Sequence, residues 1–170
     1  DYASEKRSHY EIWWTLGWPY ETSVAMAHIV FAGLFDKHPE LKIITHHMGG
    51  MIPYFEGRVG PGWDQLGTRT SDEDYVSLLK SLKKRPLDYF KHDFYPDTAT
   101  FTSEGARKLG FGFFDFGKVI FASDCPFDPE KGTMYIRETL RILDDYGMPK
   151  SDLDKVYYKN LERITGKTFV

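Results

Sequence analysis

The adjacent imidazoles of His46 and His47 and the carboxylate of Asp124 are the groups whose types suit proton transfer or cation binding. An imidazole titrates near neutrality, and either an imidazole or a carboxylate can ligate a divalent metal. Each has a plainer reading. A histidine at a strand end can be a satisfied core residue, and Asp124 can cap the turn at Cys125-Pro126 in the manner of an Asx-turn. Asp97 is a further candidate carboxylate with a turn role as its alternative. One His and one Asp do not make a metal site. No His-x-His or His-x3-His occurs among His9, His28, His38 and His92, which read as structural or surface residues. Cys125 offers a soft thiol, but its place between Asp124 and Pro126 suits a packed small residue.

The elements that would position these groups follow from patterning. Leu41 to His47 reads as a buried parallel strand, β-branched at Ile43, Ile44 and Thr45, ending in the permissive turn Gly49-Gly50. Strand alternation predicts that His46 and His47 point to opposite faces, which leaves the choice between them open. Lys118 to Asp124 is a second clear strand, and Phe94 to Ala99 a weaker one interrupted by Pro96. Helices are expected from Pro19, with Thr22 or Ser23 as cap, to His38-Pro39; from Ile52 to a break or kink at Gly60-Pro61-Gly62; and from Asp72 to Lys84, capped by Ser71 or Asp72. Others are expected from Thr102 or Ser103 to Gly110, from Met134 to Tyr146, and from Ser151 to Ile164. Three parallel strands cannot close a barrel, so the chain is either a small doubly wound α/β domain or the later part of a larger barrel. Functional groups in such folds gather at the carboxyl ends of strands, which gives the shared position of His46/His47 and Asp124 its weight.

The bulk properties narrow the class. With 170 residues and 41% hydrophobic content, one domain is expected. A net charge of -3 and the lone basic triplet Lys83-Lys84-Arg85, read as a solvated helix end, argue against nucleic acid as a partner. No apolar run approaches the ~20 residues that span a bilayer, and the first residues lack a signal-peptide core. With a single cysteine, Cys125, no intrachain disulfide can form, and a cytoplasmic location is expected. The aromatic opening with Tyr10, Trp13, Trp14, Trp18 and Tyr20 reads as a surface meant to be covered by another part of the protein, with a ligand-facing loop as the alternative.

The segments His47-Met48-Gly49-Gly50-Met51-Ile52-Pro53-Tyr54-Phe55-Glu56-Gly57-Arg58 and Phe121-Ala122-Ser123-Asp124-Cys125-Pro126-Phe127 carry a family resemblance. With Tyr95-Pro96-Asp97-Thr98-Ala99 and a terminal helix bearing Asn160, the chain resembles one branch of the amidohydrolase superfamily. That branch contains aminocarboxymuconate-semialdehyde decarboxylase and γ-resorcylate decarboxylase. The resemblance implies a (β/α)8 TIM barrel in which His47 closes the sixth strand and Asp124 the eighth. It implies His47, rather than His46, as catalytic acid/base, and Asp124 as a catalytic carboxylate and metal ligand. Arg58 matches an arginine that reaches the substrate carboxylate of a neighbouring subunit, which implies a homodimer.

Members of the family carry a His-x-His or Glu-x-His pair on the first strand and a ligand histidine on the fifth, and both are expected upstream of Asp1. The resemblance therefore implies that residues 1–170 are the carboxyl-terminal part of one barrel domain, supplying roughly its last three strands and their helices. A missing amino-terminal half would be the partner that completes it. The implied cofactor is a divalent metal, Zn or Mn, and the implied reaction is non-oxidative decarboxylation of a small carboxylated aromatic or unsaturated acid. Hydrolysis of a lactone, ester or amide would need the same constellation. The competing class is a non-catalytic α/β module or an inert fragment, in which His47 and Asp124 only form turns.

Overall fold

Two short strands, β1 (Ile43–Thr45) and β2 (Phe94–Pro96), pair in parallel with Ile43 opposite Phe94, Ile44 opposite Tyr95 and Thr45 opposite Pro96. The computed structural model describes residue 7 and residues 9–169. The weak strand is the better buried of the two, because Phe94, Tyr95 and Pro96 are all covered. Its proline is tolerated because Pro96 turns its backbone away from β1, its carbonyl accepting from the Ile120 N–H, while the ladder to β1 continues at Asp97, whose N–H donates to the Thr45 carbonyl at 3.0 Å.

Two expectations change here. β1 is shorter than the predicted 41–47 and is not covered on both faces, since Ile44 is 46% exposed. The predicted strand at 118–124 is reduced to a single parallel bridge, Ile120 to Asp97. The Ile120 N–H still donates to the Pro96 carbonyl, and the Thr98 N–H to the Ile120 carbonyl, both at 2.9 Å. Three parallel segments therefore lie side by side in chain order.

Helices fill the crossovers. A wide π-type turn at Trp13–Gly17 runs into α1 (Trp18–Phe31), where Pro19 sits in the first turn and needs no N–H partner. Thr22 and Ser23 lie inside this helix and do not cap it. Gly33, with φ of +66°, breaks the predicted continuous helix, and α2 (Leu34–Lys37) ends before His38-Pro39. Between β1 and β2 lie α3 (Glu56–Asp64), α4 (Tyr75–Ser81) and α5 (Pro86–His92). Pro61 does not end α3, because the Gly57 carbonyl that loses its partner lies on the solvent side of the helix. The cap of α4 is Asp74, whose carboxylate accepts from the Ser77 N–H at 3.1 Å. α5 has no sequence counterpart among the expected helices, since Pro86 reads equally as a breaker and as a helix start.

The basic triplet lies just beyond α4 and is exposed to solvent, as expected, but it is paired as well. Lys83 bonds to Asp36 of α2 through both its N–H and its Nζ at 3.0 Å, Lys84 pairs with Asp93 at 2.6 Å, and Arg85 makes a two-toothed pair with Asp64 of α3 at 2.7 and 2.6 Å. The triplet thus fastens α2 and α3 to the connection between α4 and α5.

The Ser103 hydroxyl caps α6 (Glu104–Phe113), which leads to the Ile120 segment; α7 (Thr133–Asp144) follows. The chain closes with α8 (Lys150–Asp154), a wide turn at Lys155–Lys159, and α9 (Asn160–Thr165), ended by Gly166 at φ of +69°. Asn160 anchors this last unit by donating to the Phe116 and Val119 carbonyls at 3.0 and 2.8 Å. The core is aromatic, with Phe35, Phe90, Phe94, Phe111, Phe113 and Phe114 packed around Val30, Val119, Leu143 and Val156. Among the described residues no helix is long and apolar enough to cross a membrane.

Candidate active site

Beyond Thr45 the chain stops being a strand. His46 is still extended, with φ of -74° and ψ of 154°, but His47, Met48, Gly49 and Gly50 all have positive φ, from +52° to +77°. Two non-glycine residues in the left-handed region cost about 1–3 kcal/mol each, so surrounding bonds must impose the conformation. Asp97 supplies them: its Oδ1 accepts from the His47 N–H at 2.9 Å, and its backbone carbonyl accepts from the Met48 N–H at 3.2 Å. The two glycines answer a second demand, close approach. A Cβ on Gly49 would stand 2.6 Å from the Phe114 ring, and one on Gly50 would stand 2.5 Å from the Pro19 carbonyl oxygen. Ser23 closes the turn by accepting from the Met51 N–H at 2.8 Å while donating to the Pro19 carbonyl at 2.7 Å.

This turn overturns the expectation that His46 and His47 point to opposite faces. Alternation ends with the strand, and the two rings lie 5.9 Å apart, centroid to centroid. His47 Nδ1 is 2.9 Å from the Ala99 carbonyl oxygen. A carbonyl only accepts, so Nδ1 carries the hydrogen, and Nε2 keeps its lone pair in the neutral ring. Nε2 has no protein partner among the described residues. The Phe101 ring stacks beside the imidazole at 5.3 Å. His46 Nδ1 instead approaches Asp97 Oδ2 at 3.4 Å, with its side chain 75% exposed. The hydrogen bond to Asp97 raises its pKa above the ordinary value, partial burial opposes the rise, and the charges of Asp97 and Asp124 add to it.

Asp97 is the residue whose importance sequence reasoning placed too low. It is buried, and it organises both histidines as well as its own turn through the Ala99 N–H at 3.0 Å. Its turn role and its contact with the candidate site are the same feature.

Asp124 also has positive φ, +63°, just before a cis Cys125-Pro126 peptide. Its side chain does not cap that turn: the Ser123 hydroxyl does, accepting from the Cys125 N–H at 3.3 Å. The half-buried Asp124 carboxylate accepts no hydrogen bond and forms no ion pair among the described residues. Asp128, which sequence reasoning missed, holds the loop behind it. Its buried carboxylate accepts from the Glu130 N–H at 2.7 Å and the Tyr135 N–H at 3.2 Å. The available signal was Asp128-Pro129, a pair that favours turn initiation.

His47 and Asp124 line one cleft of about 280 Å³, walled by Trp13, Trp14, Trp18, Phe101, Phe127 and Tyr135. The aromatic opening therefore faces the cleft, and its tryptophans remain 41–47% exposed. Arg58 is not brought to this cleft. It is exposed on α3, beside a separate cleft of about 460 Å³ that it lines with Trp63 and Arg69. Cys125 is an exposed free thiol.

No three His, Cys, Asp or Glu side chains among the described residues converge into a group that could hold a metal ion. Asp124 fits such an ion as one hard oxygen donor free of other partners, but the described residues do not complete a shell around it.

A family model described as amidohydrolase matches residues 1–166. The chain is 32% identical over 123 residues to a gamma-resorcylate decarboxylase of Rhizobium sp. (strain MTP-10005), a match covering 68% of this chain and 34% of the relative. It is 26% identical over 125 residues to the 2-amino-3-carboxymuconate-6-semialdehyde decarboxylase of Dictyostelium discoideum, covering 74% of this chain and 32% of the relative. Among solved structures, the 5-carboxyvanillate decarboxylase of Novosphingobium aromaticivorans, complexed with manganese and 4-hydroxy-3-methoxy-5-nitrobenzoic acid, superposes with a TM-score of 0.70 at 26% identity. That match covers 89% of this chain and 40% of the solved one. The chain thus spans about a third of the length of the curated relatives it matches. With the family model covering nearly its whole length, the chain belongs to the amidohydrolase family.

Proposed function

We propose that this chain is part of a metal-dependent, non-oxidative decarboxylase of a small aromatic or unsaturated carboxylic acid, with His47 as the proton-transfer residue. The observation that carries this reading is that His47, whose Nδ1 is held by Ala99, and Asp124, whose carboxylate has no partner among the described residues, line one aromatic-walled cleft. The names of the relatives supply the reaction class.

In its charged form the His47 ring delivers the Nε2 proton to the ring carbon of the substrate that bears the carboxylate. The carbon–carboxylate bond breaks as the new C–H bond is established, its electron pair stays on the ring, and CO2 leaves. The Ala99 carbonyl accepts the Nδ1 hydrogen and holds the ring in place. Tryptophan and phenylalanine walls offer flat apolar faces that favour a planar substrate. Asp124 would be one ligand of a divalent ion, Zn or Mn, and such an ion when bound polarises a substrate oxygen. The manganese in the related 5-carboxyvanillate decarboxylase supports that metal class.

We read the three parallel segments as the last strands of a (β/α)8 barrel, with residues 1–170 as the carboxyl-terminal part of the domain. The open edge at Ile44 supports this, since a parallel strand is ordinarily paired and covered. The exposed place of Arg58, away from His47 and Asp124, supports a role across a homodimer contact.

The test is CO2 release by the full-length protein from a panel of hydroxybenzoic acids and a carboxymuconate semialdehyde. Chelation is expected to abolish release, and Mn or Zn to restore it. H47A is expected to lose about 100-fold or more in turnover with metal content kept, and D124N to lose metal as well. Full activity of H47A, or product formation from esters or lactones without CO2, would overturn the reading.

A further inference from the structure

Arg107, on α6, is the largest side chain with no exposed surface among the described residues, at 0%. It meets no carboxylate. Its Nη2 donates to the Thr98 carbonyl at 3.1 Å, the Thr100 hydroxyl at 3.2 Å and the Phe101 carbonyl at 3.4 Å, and its Nη1 donates to the Thr139 carbonyl of α7 at 3.4 Å. Its Nε has no partner. A buried cation hydrogen-bonded only to neutral acceptors is costly to keep, and burial lowers the guanidinium pKa, with the Arg141 charge adding to the effect and the Glu104 and Tyr157 charges opposing it.

That cost is concentrated on one segment. Three of the four acceptors lie at Thr98, Thr100 and Phe101, on either side of Ala99, whose carbonyl holds His47 Nδ1 at 2.9 Å. Phe101, at φ of +57°, puts its ring 5.3 Å from the His47 ring and 4.9 Å from that of Tyr135. Thr98 is tied in turn to the segment leading to Asp124, its hydroxyl donating to the Ala122 carbonyl at 2.9 Å and accepting from the Ala122 N–H at 3.0 Å. The segment from Thr98 to Phe101 therefore touches His47 and the stretch leading to Asp124, and Arg107 is the charged group beneath it.

We propose that Arg107 is a positioning residue for His47: by holding the Thr98 and Phe101 carbonyls and the Thr100 hydroxyl, it fixes the Ala99 carbonyl that sets the tautomer and orientation of the His47 ring. The functional consequence rests on His47 being the proton-transfer residue; the structural one does not. Arg107 acts through the backbone and touches no substrate.

The test is R107M in the full-length protein, read by the ring-nitrogen resonances of 15N-labelled histidine, thermal melting, and steady-state kinetics. Wild type is expected to show His47 as a single tautomer protonated at Nδ1. R107M is expected to move it toward a mixture and to lower kcat about 10- to 100-fold with KM nearly unchanged, and R107K to recover part of the wild-type signal. A folded R107M with His47 resonances unchanged would overturn the proposal, whatever its activity. If R107M does not fold, T100V takes its place, since it removes one acceptor at nearly constant shape. Displaced His47 resonances in T100V would support the proposal, and unchanged ones would sink it. Displaced resonances in an enzyme that H47A leaves active would refute the role of His47 and leave the positioning intact.

Discussion

Asp97 holds His47 by its backbone and not by its ring. Its Oδ1 accepts the His47 N–H at 2.9 Å, which leaves the imidazole free to meet Ala99 on one side and the cleft on the other. The neighbouring histidine uses the second oxygen of the same carboxylate, His46 Nδ1 lying 3.4 Å from Oδ2. One buried aspartate thus stabilises a left-handed turn without touching the His47 ring.

Removing that carboxylate should be expensive. D97A leaves the His47 and Ala99 N–H groups without their acceptor, and we expect a loss of about 2–4 kcal/mol in urea unfolding of the full-length protein. D97N keeps an amide oxygen for these donors and should lose less than half as much. Equal losses in the two variants would show that the charge, and not the hydrogen-bond geometry, holds the turn.

The His46–Asp97 contact should make stability depend on pH with a definite sign. The folded-state pKa of His46 is raised above the ordinary 6.5, so the contribution is complete below that value and is lost as pH rises through the raised one. Because the His46 side chain is 75% exposed, solvent screening keeps the effect below about 1 kcal/mol. H46Q should flatten this part of the stability profile between about pH 6 and pH 8. A wild-type stability that rises across the same window, with the rise removed in H46Q, would contradict the assignment.

Gly50 should be far less replaceable than an ordinary turn glycine. In G50A the new Cβ would face the Pro19 carbonyl at 2.5 Å and the Ser23 hydroxyl at 2.8 Å, at a φ of +63°. We expect a loss of about 2–3 kcal/mol. S23A, which deprives the Met51 N–H of its acceptor, should cost about 1–2 kcal/mol. Thermal melts of the two variants would check the order, and a G50A protein as stable as wild type would rule out the close approach.

Local patterning made part of this protein legible. The β-branched run before His46 marks a strand, the hydroxyl of Ser103 marks a helix start, and Gly166 marks a helix end, because these depend on a few neighbouring residues. Family membership was legible too, in the motifs around His47 and Asp124. Where the outcome depended on distant partners, the local signals misled. Thr22 and Ser23 have the chemistry of caps, yet Ser23 lies inside a helix and clamps Met51, a residue 28 positions away. Pro86 starts a helix that its own sequence does not announce. Lys83, Lys84 and Arg85 are exposed as their local sequence suggests, but nothing local announces that Asp36, Asp93 and Asp64 are folded against them.

By itself the sequence determined the residue types at the strand ends, the breaks that separate the helices, and the family. Only the tertiary structure decided that the His46 and His47 rings lie close together, that Asp97 supports both, that Asp124 has no partner among the described residues, and that Arg58 stands apart from them. The physical reason is that helix and strand patterns follow from near neighbours. The direction of a side chain beyond a strand end is instead set by backbone bonds to Asp97 and Ala99, about 50 residues along the chain, and such contacts leave no periodic trace.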